Sequence, residues 1–179
     1  MRALVVYESM YGNTHAVATS IAAGLQSTHE VTLVPVTRVT PELIARADLL
    51  VAGGPTHMHG MSSGASRRMA ADAAHKQGSG LTMDPDADCP GIRGWLEGIG
   101  AGDALAVAFD TRFNGVAALT GRASRGVSQE LKRHGYRLIG APESFLVDKH
   151  NKLLAGEAER AYIWGAQIGE DAMSLTAAR

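Results

Sequence analysis

At 179 residues, 45% of them apolar, the chain is long enough to bury a sizeable core without disulfide or metal staples and is about the size of one domain. Its 17 basic and 18 acidic residues leave a net charge of −1, which excludes the basic footprint of a nucleic-acid binder and the polybasic segment that docks on anionic lipid. One cysteine, Cys89, excludes an intrachain disulfide and a Cys-x-x-Cys redox pair, and no apolar run reaches the ~20 residues of a membrane span. Met1 leads almost directly into an apolar run, leaving no room for a signal peptide, so a soluble, cytoplasmic protein is expected.

Ala3 to Tyr7 is too short for a helix interior and rich in β-formers, and predicts a buried strand. It stops in Glu8-Ser9-Met10-Tyr11-Gly12-Asn13-Thr14, and His15 to Leu25 predicts a helix. Hydroxyls at Ser9 and Thr14, an amide at Asn13 and a permissive Gly12, all at a helix N-terminus, make a phosphate cradle that needs no lysine or arginine. The same residues also suit an ordinary strand-to-helix turn capped by Asn13 or Thr14.

Glu30 to Pro35 predicts a second strand and Thr40 to Arg46 a helical turn with Pro41 at a favourable first position. Asp48 to Gly53 predicts a central parallel strand, apolar almost throughout, running into Gly53-Gly54-Pro55-Thr56-His57-Met58-His59-Gly60-Met61, a loop with no local reason to be ordered except by a ligand or partner. Ser63 to Gln77 carries Met69, Ala70, Ala73 and Ala74 at helical spacing, and Gly78 to Pro90 reads as a flexible surface excursion. A short helix from Gly91 to Ile99 precedes a fourth strand, Ala104 to Phe109, which ends in Asp110-Thr111-Arg112-Phe113-Asn114-Gly115. A helix to His134 has basic residues in its last turn, Tyr136 to Val147 is a fifth strand interrupted near Gly140-Ala141-Pro142, and a last helix starts near Gly156.

This alternation argues for an α/β fold, an open parallel sheet with helices on both faces and right-handed crossovers. Ligands bind such sheets outside the carboxyl ends of the strands, where the strand order reverses. The three unusual loops, after the first, third and fourth strands, all fall at that edge.

On these residues the chain resembles the flavodoxin-like family along essentially its whole length. Ser9-Met10-Tyr11-Gly12-Asn13-Thr14 matches the family's Ser/Thr-x-x-Gly-x-Thr loop for the FMN phosphate. The resemblance implies a three-layer α/β/α fold with a five-stranded parallel sheet of order 2-1-3-4-5 and FMN at the switch point. It assigns Ser9, Met10, Tyr11, Gly12, Asn13 and Thr14 to the phosphate. Pro55, Thr56, His57, Met58, His59 and Gly60 go to the dimethylbenzene and N5 side of the ring, and Asp110, Thr111, Arg112 and Phe113 to its pyrimidine edge. Electron-carrier flavodoxins sandwich the ring between a Trp and a Tyr and are strongly acidic. This chain offers Phe113 with His57, Met58 or His59 opposite and is nearly neutral, which favours an enzyme or an unspecialised FMN binder.

Other residues carry weaker expectations. His57 and His59 either face flavin or hang on an exposed loop, and no third ligand nearby makes a metal of them. Arg112 faces the ligand or pairs with Asp110 or Asp103, while Trp95 and Trp164 are packing residues on helices. Arg67-Arg68 and Lys132-Arg133 read as solvated faces. No Gly-x-Ser-x-Gly elbow surrounds Ser62, Ser63 or Ser124, and neither a Walker lysine nor a Gly-x-Gly-x-x-Gly fingerprint follows the first strand.

The leading expectation is an FMN-binding redox protein, monomer or dimer, serving a redox partner protein or a small-molecule electron acceptor, with no nucleic-acid or membrane partner. One alternative is an NAD(P)H-dependent reductase of quinones or similar acceptors, with an open pocket near Gly60, Ser62 and Ser63. Another is a flavin-free interaction module.

Overall fold

The computed structural model describes residues 1–87 and 90–178, so Cys89 lies outside the described residues. In chain order the elements are β1 (Arg2–Tyr7), α1 (Asn13–Leu25), β2 (Glu30–Pro35), α2 (Pro41–Ala45), β3 (Leu49–His57), β4 (Gly60–Met61) and α3 (Gly64–His75). After them come α4 (Ile92–Glu97), β5 (Leu105–Phe113), α5 (Ala117–Thr120), α6 (Ala123–Arg133), β6 (Arg137–Leu138), β7 (Glu143–Val147) and α7 (Glu157–Ala177).

The sheet runs β2-β1-β3-β5-β6, with Val5 opposite Leu33 on one side and Val51 on the other, and Val51 opposite Val107. β6 and β7 share the outer edge of β5: Leu105 and Ala106 pair with β6, and Phe109 to Phe113 with β7. The break between them falls at Gly140, whose φ of 65° is left-handed, and at Pro142, which has no N–H to give. The parallel strands therefore keep the order 2-1-3-4-5, the fifth in two pieces, and β4 is an antiparallel addition to β3.

Strand alternation divides the core in two. Ala3, Val5, Tyr7, Leu49, Val51, Leu105, Val107 and Phe109 face α1 and α7. Leu4, Val6, Leu50, Ala52, Ala106 and Ala108 face α4 and α6. Both faces are covered, which is why these strands read as unbroken apolar runs. Helices α1 and α7 approach closely because Gly24 and Gly165 lack a Cβ: one at Gly165 would run into the Ile21 carbonyl, one at Gly24 into that of Tyr162. Trp164 packs edge-on against Phe145 with ring centroids 6.0 Å apart, and Trp95 packs against the second core, as expected for both.

Several expectations need correction. The stretch 53–61 is not an unstructured loop: β3 continues to His57 and folds back through Met58 and His59 into β4, pairing Thr56 with Met61 and His57 with Gly60. Met58 and His59 have φ of 48° and 73°, the left-handed pair that matches a two-residue hairpin to strand twist. Neither is the Asn or Gly that usually announces such a turn. Asp110 to Phe113 is also strand, because β7 pairs with all four residues and the extended β3 with Asp110 and Thr111. In α3, Met69 is 61% exposed and Arg67, expected to be solvated, is turned inward. Part of the stretch expected to be a free excursion, residues 84–87, is tied down: Asp84 N–H donates to the Met10 carbonyl at 2.8 Å, and Asp84 and Ala87 are buried.

Candidate functional site

At the carboxyl ends of β1, β3 and β5 the chain encloses a cavity of about 700 Å³. Its first wall is the turn from β1 into α1. Gly12 takes a φ of 87°, and its N–H donates to Ser9 Oγ at 3.0 Å, closing the turn. The first backbone bond of α1 runs from Ala16 N–H to the Gly12 carbonyl, so the N–H groups of Asn13, Thr14 and His15 precede the helical ladder. Asn13 is clamped at both ends of its amide, Nδ2 donating to the Asn151 carbonyl at 2.8 Å and Oδ1 accepting from Leu153 N–H at 3.1 Å. Thr14 Oγ1 meets Thr111 Oγ1 at 2.7 Å, and the Tyr11 hydroxyl donates to the Ala70 carbonyl at 2.7 Å, joining the turn to β5 and α3.

The second wall is the β3–β4 hairpin. Thr56 Oγ1 accepts from Ala123 N–H at 2.9 Å, and His59 bridges Gly121, seating the hairpin on the start of α6. Burial holds the His57 imidazole below its ordinary pKa, against the opposing pull of the Glu8 carboxylate, so it is neutral at neutral pH.

The third wall is the end of β5. Arg112 Nη1 donates to the carbonyls of Phe113 (3.1 Å) and Gly115 (2.8 Å) and is 3.1 Å from Thr120 Oγ1. Among the described residues it makes no ion pair with Asp110 or Asp103, contrary to one of the two expectations for it. Asp110 is fully buried and accepts from Ser124 N–H at 2.8 Å, and burial raises its carboxyl above the usual range.

The cavity brings together Met10, Tyr11, Asn13 and Thr14, then Pro55, Thr56, His57 and Met58, then Thr111, Arg112 and Phe113. Ser9, Gly12, His59, Gly60 and Asp110 are not among its lining residues, nor are Ser62 and Ser63. Ser9 and Gly12 shape the first turn from within, Asp110 braces α6, Ser62 is buried and Ser63 caps α3. Sequence reasoning missed a further wall made by Ser66, Met69 and Ala70 of α3 with Ser79, Gly80 and Leu81. It also missed Lys149, His150, Asn151 and Lys152, which follow the fifth strand at the same sheet edge. The rule that places ligands at the carboxyl ends of strands could have found that last segment.

Under the cavity lies a buried carboxylate. Glu8 accepts from Ser62 Oγ and, at 2.8 Å, from Ile92 N–H, with Arg67 Nε 3.4 Å away. Beside the first turn, Tyr7 stacks on His15 with centroids 4.5 Å apart, and His15 Nδ1 lies 3.4 Å from Asp84 Oδ2. Asp86 accepts from the Tyr7 hydroxyl at 3.2 Å and lies 3.6 Å from Arg38. These contacts fasten Asp84 to α1 and Asp86 to the end of β1 and to Arg38.

The lining suits a flat, phosphate-bearing ligand. Methionines 10, 58 and 69, Leu81 and Phe113 give apolar surface, the start of α1 gives N–H donors, and among the described residues no carboxylate lines the cavity.

Comparison with known proteins agrees with this geometry. A flavodoxin from the domain Archaea superposes with a TM-score of 0.67 at 17% identity, over 97% of this chain and 99% of that one. A WrbA-like flavodoxin from Agrobacterium tumefaciens gives 0.61 at 20% identity over 97% and 98%, and flavodoxin 1 from Bacillus cereus gives 0.64 at 15% over 95% and 98%. Likeness at these identities shows the fold. No curated protein matches the chain. The flavodoxin family model matches residues 5–117, the greater part of the sequence and all three of the expected loops, and the chain belongs to the flavodoxin family, whose cofactor is FMN.

Proposed function

We propose that this protein is a cytoplasmic, single-domain flavoprotein that binds FMN in the cavity at the carboxyl edge of the sheet and passes electrons to a redox partner protein or a small acceptor. One observation carries the reading: the turn before α1, the β3–β4 hairpin and the end of β5 line a single cavity that α1 enters by its N-terminus. Bound there, FMN would supply the electron chemistry, with no nucleophile or metal required of the chain.

The chain's own residues would bind and orient. The N–H groups of the first turn of α1 would meet the phosphate, helped by the partial positive charge of the helix end. Thr14 and Thr111, sharing one hydrogen bond, fix the first wall against the third. Met58 and Phe113, 76% and 53% exposed, offer apolar surface to a ring at the mouth. Neutral His57 can give or take a proton at an imidazole nitrogen within the cavity lining.

A reductase of small acceptors is the second reading. It is favoured by the apolar surface that Met58 and Phe113, both lining the cavity, leave exposed, where a planar acceptor could rest. The test is an absorption spectrum of the purified protein, then titration with FMN and riboflavin followed by flavin fluorescence. Saturable quenching by FMN in preference to riboflavin supports the proposal, and turnover of a pyridine nucleotide with a quinone then separates reductase from carrier. No bound flavin and no quenching would leave a flavin-free interaction module as the account.

A further inference from the structure

Among the described residues the cavity has a one-signed electrostatic lining: Arg112, Lys149 and Lys152 contribute to it and no Asp or Glu does, although the chain has more acids than bases. Arg112 is held by the carbonyls and hydroxyl described above. The two lysines are exposed, and among the described residues neither makes an ion pair.

Their turn is built. Asp148, just outside the cavity lining, folds its carboxylate back to accept from the N–H groups of His150 and Lys152, both at 2.9 Å. Asn151 has a left-handed φ of 58°, and its carbonyl receives the Asn13 amide. Leu153 N–H then closes on the other end of that amide. Asn13 opens α1 in the turn that resembles the family's phosphate loop, so the lysine turn is fastened directly to that loop.

We propose that Lys149 and Lys152 form a cationic second wall of the phosphate site, so that this chain adds two mobile ammonium groups to a cradle of neutral N–H and hydroxyl donors. This rests on the FMN reading above. A phosphate ester near neutral pH carries close to two negative charges, and neutral donors leave much of that charge to be balanced by solvent ions. Two lysines at the mouth would balance it without being buried themselves, and bulk salt would screen them.

The test compares wild-type protein with Lys149→Ala/Lys152→Ala, titrating FMN and riboflavin by fluorescence at low and high sodium chloride. Lys132→Ala/Arg133→Ala, at the exposed end of α6, removes the same charge elsewhere. The cavity variant is expected to bind FMN about tenfold more weakly at low salt, with the difference closing at high salt and riboflavin binding unchanged. The α6 variant should match wild type. Equal FMN affinity and salt dependence in the cavity variant, or an equal loss in the α6 variant, would overturn the inference while leaving the FMN site standing. Wild-type protein that binds FMN no better than riboflavin would instead bring down the FMN reading and this inference with it.

Discussion

The Ser62 hydroxyl lies 2.7 and 2.6 Å from the two carboxylate oxygens of Glu8, joining the end of β1 to the entry of α3 across 54 residues of chain. Glu8 is 1% exposed and also holds the first N–H of α4, so one carboxylate fixes three segments beneath the cavity. Glu8→Ala strands the buried Ser62 hydroxyl and Ile92 N–H and should destabilise the fold by about 3–5 kcal/mol. Glu8→Gln keeps an acceptor and should cost about 1–3 kcal/mol. Urea unfolding measures both. Because the Glu8 charge raises the His57 pKa, the Gln variant should also titrate His57 at lower pH by NMR.

The α1–α7 contact predicts a contrast between two glycines. Gly165→Ala pushes a methyl into the Ile21 carbonyl and should cost about 1–3 kcal/mol, read as a lower melting temperature. At Gly60 nothing lies within 4 Å of an added Cβ, so Gly60→Ala should change stability by no more than about 1 kcal/mol.

Asn13→Ala removes both bonds that tie the first turn to residues 151–153. The expected loss is about 1–2 kcal/mol of stability. FMN affinity should fall about tenfold with riboflavin affinity unchanged, as judged by fluorescence titration. A variant that loses stability but keeps full FMN affinity would show the clamp to be purely structural.

Acid should weaken the fold through two histidines. Burial holds both His29 and His57 below the ordinary imidazole value of 6.5. Above that value both are neutral, folded or unfolded, and contribute no pH dependence. Below it the unfolded chain takes up protons that the folded chain resists, so stability falls as pH drops from 6.5 toward the folded values. Urea midpoints measured from about pH 8 to about pH 5 should show this fall, and His29→Gln/His57→Gln should flatten it.

Much of this molecule is written locally. The apolar runs at 3–7 and 49–52 are strands covered on both faces, and Thr40 caps the helix that Pro41 opens, a signal carried by adjacent residues. The turn 9–14 is legible because the conformation Gly12 adopts and the donors of a helix start are properties of adjacent residues. Such signals were enough to put three of the cavity walls at one sheet edge, while the sheet order came from the resemblance to the flavodoxin-like family. Pairing between distant segments was not legible: Asp110 to Phe113 is strand because β7 pairs with all of it and β3 with Asp110 and Thr111, and Thr56 seats the Met58-His59 hairpin on the start of α6. Arg67 turns inward because Glu8, distant in sequence, is buried beneath it, and residues 84–87 are held because Met10 presents a carbonyl. The sequence determined which segment sets hydroxyl, amide and helix-start N–H donors side by side, since that depends on neighbours along the chain. Only the tertiary structure decided that Lys149 and Lys152 share their cavity, because that depends on where the fifth strand ends in space.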